Sequence, residues 1–156
     1  MTKEELKKII EKEGGDCYKI GKNGYVLSIR RTEMIGCLCG YVGVPEESPL
    51  YGQNYYHIGD NNSMTNIEKD IADISVHGGL TFSGEHKDDY LSFLNGKKYW
   101  FFGFDCAHHN DLTLSHFSFK NSWPDIDDYV YRDKKYVKKE CDSLARQIKK
   151  IENKYK

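Results

Sequence analysis

The sequence predicts an α+β fold: an antiparallel sheet of about five or six strands flanked by an N-terminal helix and a long C-terminal helix. Three observations predict it. Short strand signals joined by turns fill residues 17–106, regular βαβ alternation is missing, and both ends carry helical periodicity. The 156 residues suffice for one ordinary domain, so 1–156 reads as a single domain.

Taken in order, Thr2 and Glu5 form a Thr-x-x-Glu capping box, and Leu6, Ile9 and Ile10 share a helical face. A helix over 3–13 follows, ended by Gly14-Gly15. Cys17–Ile20 reads as a strand, Asn23-Gly24 as a hairpin turn, and 25–31 as the partner strand. A third strand over 37–44 stops at Pro45, which has no N–H for the ladder. Residues 45–62 are turn-rich and contain Tyr55-Tyr56-His57; a loop this long is functional or mobile. A helical turn is expected over 66–71, and a strand over 74–82 interrupted by Gly78-Gly79. An aromatic central strand over 97–106 comes next. Val137, Cys141, Leu144, Ile148, Ile151 and Tyr155 then repeat at steps of four and three, one stripe on a helix over about 133–154.

Composition narrows the function classes. With 38% hydrophobic and 13% aromatic residues the chain has the apolar content to pack, which excludes a disordered or collagen-like chain. Mean hydropathy is -0.72, and no apolar run approaches the roughly 20 residues of a membrane span. The charged N-terminus has no secretion-signal character, so a cytoplasmic protein is expected. The five cysteines then read as free thiols. Cys37-x-Cys39 lacks CxxC spacing, although a zinc site from Cys37, Cys39, Cys106 and His108 can be drawn. Residues 32–132 hold six Lys/Arg against fifteen Asp/Glu, while both ends are basic. An acidic middle argues against a broad nucleic-acid groove.

Strand alternation sorts the chemically capable residues by face. Over 74–82, His77 falls on the polar face beside Gly78 and Gly79, which permit close approach of a ligand to the backbone. Over 99–106, Tyr99, Phe101, Gly103 and Asp105 point one way; Trp100, Phe102, Phe104 and Cys106 point the other. Asp105 thus ends a hydrophobic strand, where a carboxylate needs a partner. Asp105, His108, His109 and Asp111 form the densest group of titratable side chains. Two readings fit Asp105 and His108 equally: a functional site, or a turn cap followed by exposed loop histidines. His109 reads as exposed, His57 as a loop tip, and His86, His116, Glu85, Asp88 and Asp89 as solvated loop residues. No P-loop, GxGxxG or HExxH is present.

Four blocks together carry a resemblance: Gly40-Tyr41-Val42-Gly43-Val44-Pro45, His77-Gly78-Gly79-Leu80-Thr81-Phe82, Trp100-Phe101-Phe102-Gly103-Phe104-Asp105-Cys106-Ala107-His108, and Tyr131-Arg132-Asp133. They resemble a widespread family of small phage and prophage proteins over roughly residues 37–150. The resemblance implies a phage-encoded protein acting inside a host bacterium. It also implies a small residue, a glycine and an aspartate after His108, where this chain has His109-Asn110-Asp111. In size and composition the chain is similar in kind to phage anti-defence proteins that sequester nucleotide immune signals.

The leading expectation is therefore binding of a small nucleotide-derived ligand, such as a cyclic nucleotide or an ADP-ribose derivative, without a cofactor or resident metal. Tyr41, Trp100, Tyr55 and Tyr56 would stack a base, and His77 with Gly78 and Gly79 would receive phosphate. Asp105 would take a ribose hydroxyl or exocyclic amine with His108 nearby, and Arg30, Arg31 or Arg132 would supply positive charge. The alternative is a metal-dependent phosphodiesterase or related hydrolase using His77, Asp105 and His108. A third class binds a host protein through an aromatic surface; a homo-oligomer is also compatible.

Overall fold

The computed structural model describes residues 1–87, 89–119 and 125–156; Asp88 lies outside them. Helix α1 (Lys3–Glu13) begins at the expected capping box, with Thr2 and Glu5 bonding each other's backbone N–H groups. Strands β1 (Cys17–Ile20), β2 (Val26–Arg31) and β3 (Leu38–Pro45) form an antiparallel meander. Helix α2 (Asn66–Ala72) has its own Thr65–Glu68 capping box. Strand β4 (Phe82–Gly84), helix α3 (Asp89–Ser92), strand β5 (Tyr99–Asp105) and helix α4 (Leu114–Ser118) lead to α5 (Lys134–Tyr155), capped by Asp133. The five-stranded sheet runs β1-β2-β3-β5-β4 and is antiparallel throughout.

The fold is the expected α+β arrangement, with one element corrected. The strand expected over 74–82 exists only as Phe82–Gly84. Residues 76–79 instead form a turn closed by the Gly79 N–H on the Val76 carbonyl at 2.9 Å, with Gly78 and Gly79 both at positive φ. Two consecutive left-handed residues cannot continue a pleated strand. Ile74, Val76 and Leu80 still meet the core, as loop residues.

The sheet is covered unequally. On one face Leu27, Ile29, Leu38, Val42, Phe102 and Phe104 pack against the α5 stripe of Val137, Cys141, Leu144 and Ile148. On the other, Val26, Tyr99 and Phe101 pack under Leu91 and Leu94, with Tyr41 and Phe82 at the margin. That second cover spans only part of the face. The rest, around Cys39, Tyr41, Thr81 and Asp105, stays open as a groove.

Within the sheet, glycine and aromatic residues face each other across β3 and β5. The register pairs Gly40 with Phe104, Tyr41 with Gly103, and Gly43 with Phe101. A side chain on any of these glycines would overlap the ring opposite. Each ring therefore lies down over its partner strand, an arrangement that needs the glycine.

Candidate functional site

The groove has two arms sharing Thr32, Cys39, Tyr41 and Phe82. The first, about 540 Å³, is walled by Cys37, Thr81, Asp105 and His108. The second, about 430 Å³, runs past Arg30, His86 and Lys87. Each falls within the roughly 300–1,000 Å³ of small-molecule sites. Tyr41 lies between the arms, its ring laid across Gly103 and met edge-on by Phe82 at 5.5 Å and His86 at 4.5 Å. Burial, followed by the neighbouring Cys39 thiol, pushes the Tyr41 phenol well above its usual range, so it stays protonated. His86, expected as a solvated loop residue, is 7% exposed and packs its ring 4.1 Å from that of Phe101.

Asp105 occupies the end of the first arm. One carboxylate oxygen accepts the Ala107 N–H at 3.0 Å and stands 3.2 Å from His108 Nε2; the other accepts the Thr81 hydroxyl at 3.0 Å. It is thus a turn cap that also walls the groove, and His108 beside it is half-buried rather than an exposed loop histidine. The His108 ring sits over Gly78, where any side chain would collide with it.

His77 is turned away from the groove. Its Nε2 pairs with Asp111 Oδ2 at 2.7 Å, and its Nδ1 with the Tyr136 hydroxyl at 2.8 Å. Asp111 has no exposure; it also accepts the His108 N–H at 3.0 Å and Arg132 Nε at 3.0 Å. Burial alone would raise the Asp111 pKa, but bonds from His77, Arg132 and the His108 N–H outweigh it and hold the carboxyl below its ordinary value. Arg132 lies over the Tyr136 ring at 5.0 Å. This network clamps the 76–79 turn and the turn after β5 to the start of α5.

Of the seven ligand-binding residues expected from sequence, the groove therefore gathers Tyr41, Asp105 and His108. His77 and Gly78 stand behind His108, whose ring is 5.8 Å from that of His77. Gly79 uses its N–H within its own turn. Trp100 is on the helix-covered face, packed against the core and donating its indole N–H to the Gln53 carbonyl at 2.7 Å. Tyr55 joins that same face. His57 is a loop brace rather than a tip, bonded to Ser63 and paired with Glu68. His116 caps α4 through the Thr113 N–H. Arg31 is bound to Tyr131 and the Gly36 carbonyl. Among the described residues no three His, Cys, Asp or Glu side chains are arranged to hold a metal ion.

Sequence reasoning missed Thr81, Cys37 and Cys39 as groove walls, Arg132 as a partner of Asp111, and Tyr136 as a partner of His77. The Tyr131-Arg132-Asp133 block was the available signal for Arg132. Comparison with family models, curated proteins and solved structures gives no match to this chain.

Proposed function

We propose that this protein binds, and so sequesters, a small nucleotide-derived ligand in the groove over Tyr41. The observation that carries the reading is the order of groups along the groove. An aromatic platform at Tyr41 separates hydroxyl and carboxylate groups at Thr81 and Asp105 from an arm of mixed charge, where Lys87 and Arg30, the latter 3.6 Å from Asp16, stand with Glu33. A base stacks on the platform. Asp105 and Thr81 meet ribose hydroxyls or an exocyclic amine, and Arg30 and Lys87 meet phosphate. Binding rather than turnover is the favoured form because His77 does not line the groove and both its ring nitrogens are already engaged by Tyr136 and Asp111. The resemblance to phage proteins adds a setting, removal of a nucleotide immune signal in a host bacterium, as part of the same proposal.

A thermal-shift and calorimetric panel of ADP-ribose, cyclic mononucleotides and cyclic dinucleotides tests it. A ligand at 100 times its dissociation constant adds about 2.7 kcal/mol of stability. Tyr41→Ala should abolish that gain, while Trp100→Ala, on the other face, should keep it in the folded fraction. No stabilisation by any member of the panel, or equal affinity in Tyr41→Ala, would overturn the reading.

A further inference from the structure

A second cavity lies on the other side of the sheet, where α5 leaves the edge strand uncovered. Helix α5 packs on β2 and β3, and all four residues of β1 stay exposed beyond it. Strand pairing sets Cys17 opposite Ile29 and Lys19 opposite Leu27, so these four side chains share the face that α5 covers. Between them and the helix is a cavity of about 240 Å³. Its floor is Leu27, Ile29 and Cys141, all buried. Its rim is Cys17, Lys19 and Lys138, all exposed.

Two properties of the lining define what fits. The floor is apolar, so water there finds few partners and an apolar body displaces it readily. An apolar cavity of about 150 Å³ takes up benzene, so one of about 240 Å³ holds a single ring or a short acyl chain. The rim is cationic. No Asp or Glu lines the cavity, and its seven lining residues all come from the two basic ends of the chain. Neither Lys19 nor Lys138 has an ion-pair or hydrogen-bond partner among the described residues. A lysine stem lies along apolar surface while its ammonium stays in water, which puts a positive charge at the mouth of an apolar site. Lysine is also a point charge without the fork of arginine, which suits one small anionic group.

We propose that this cavity binds a compact amphiphilic carboxylate, its apolar body on Leu27 and Ile29 and its anionic group at the Lys19 and Lys138 ammonium groups. The site is separate from the groove over Tyr41, across the sheet, and does not depend on what that groove holds.

The probes are butanoate, hexanoate and octanoate, with octanol and octylammonium as charge controls, added to the full chain while its backbone amide resonances are followed. Octanoate should move the amides of residues 17–19, 27–29 and 138–141. Affinity should rise about fourfold for each methylene added until the cavity is full. Octanol should bind more weakly, and octylammonium more weakly still. Lys19→Gln and Lys138→Gln, both at exposed positions, should each lower octanoate affinity about twofold to fivefold and leave octanol unchanged. N-ethylmaleimide on Cys17, the exposed cysteine, should block octanoate without unfolding the protein. Four results would overturn the proposal: no response to octanoate or a response centred on the Tyr41 groove, octylammonium binding as tightly as octanoate, unchanged octanoate affinity in both lysine variants, or amides of residues 17–20 that move when the free protein is diluted. The last would give the cavity to a second copy of the chain paired along β1.

Discussion

Gly103 shapes the groove by having no side chain. A Cβ there would overlap the Tyr41 ring, which lies across this position and forms the floor between the two arms. Gly103→Ala should force Tyr41 off the sheet and cost about 1–3 kcal/mol, as overpacking does. The check is chemical denaturation together with the near-ultraviolet dichroism of the tyrosines; unchanged values in both would mean that the ring is not held there. Residue-level chemistry was legible in the sequence only in part. The alternation of Phe101, Gly103 and Asp105 correctly placed Asp105 at the end of a buried strand. It could not show that Trp100, one residue out of phase with Tyr99, shares a face with α5 rather than with Tyr41, because that depends on the β3–β5 register. His77 was legible as important but not in role, since its partners Asp111 and Tyr136 are 34 and 59 residues away.

Among the elements, α5 was the most legible, because a stripe at steps of four and three over about five turns has no other economical reading. Leu144 on that stripe is fully buried against the sheet. Leu144→Ala should cost about 2–5 kcal/mol by opening a cavity, while the folded fraction keeps its groove on the opposite face. An unshifted denaturation midpoint would contradict the packing. The 74–82 segment was misread for a physical reason: Ile74, Val76 and Leu80 do face the core with strand-like spacing, but Gly78 and Gly79 turn the chain between them. The C-terminal end of α5 adds a pH-dependent tie. Glu152, 3% exposed, accepts the Tyr25 hydroxyl at 2.6 Å and the Ser48 hydroxyl at 2.9 Å, and pairs with Lys149 and Lys156. Burial opposes the charge, but those partners prevail and lower its pKa from 4.5 to about 2. A folded pKa below the unfolded one gives stability that is present above pH 4.5 and lost as pH falls toward 2. The shift corresponds to roughly 3 kcal/mol. Glu152→Gln should flatten that part of the stability–pH curve, measured by urea denaturation at each pH.

Across the whole molecule, the four sequence blocks interlock rather than marking separate sites. The first and third pair as β3 and β5, glycine against ring; the second meets the third where the His108 ring covers Gly78. The fourth joins through Arg132 on Asp111, and Asn110 takes the left-handed φ of 72 that a glycine would adopt freely. Much of what the blocks encode is thus packing geometry, with the groove residues Tyr41, Asp105 and His108 set within it. The same end of the molecule secures α1, which buries only Leu6 among its own residues. Glu13, the last residue of α1, accepts Arg31 from β2 at 3.4 Å, the Tyr131 hydroxyl, and the Lys134 N–H at the start of α5. One carboxylate therefore joins the first helix, the sheet and the last helix. Glu13→Ala should cost about 1–3 kcal/mol, because it leaves part-buried donors without their acceptor. Hydrogen exchange should quicken first over Lys3–Glu13 and at the first turn of α5, ahead of the β3–β5 pair, since those segments lose their shared anchor while the sheet keeps its own. If exchange in α1 were unchanged, Leu6 and its cluster with Leu112 and Ile126 would be holding the helix alone.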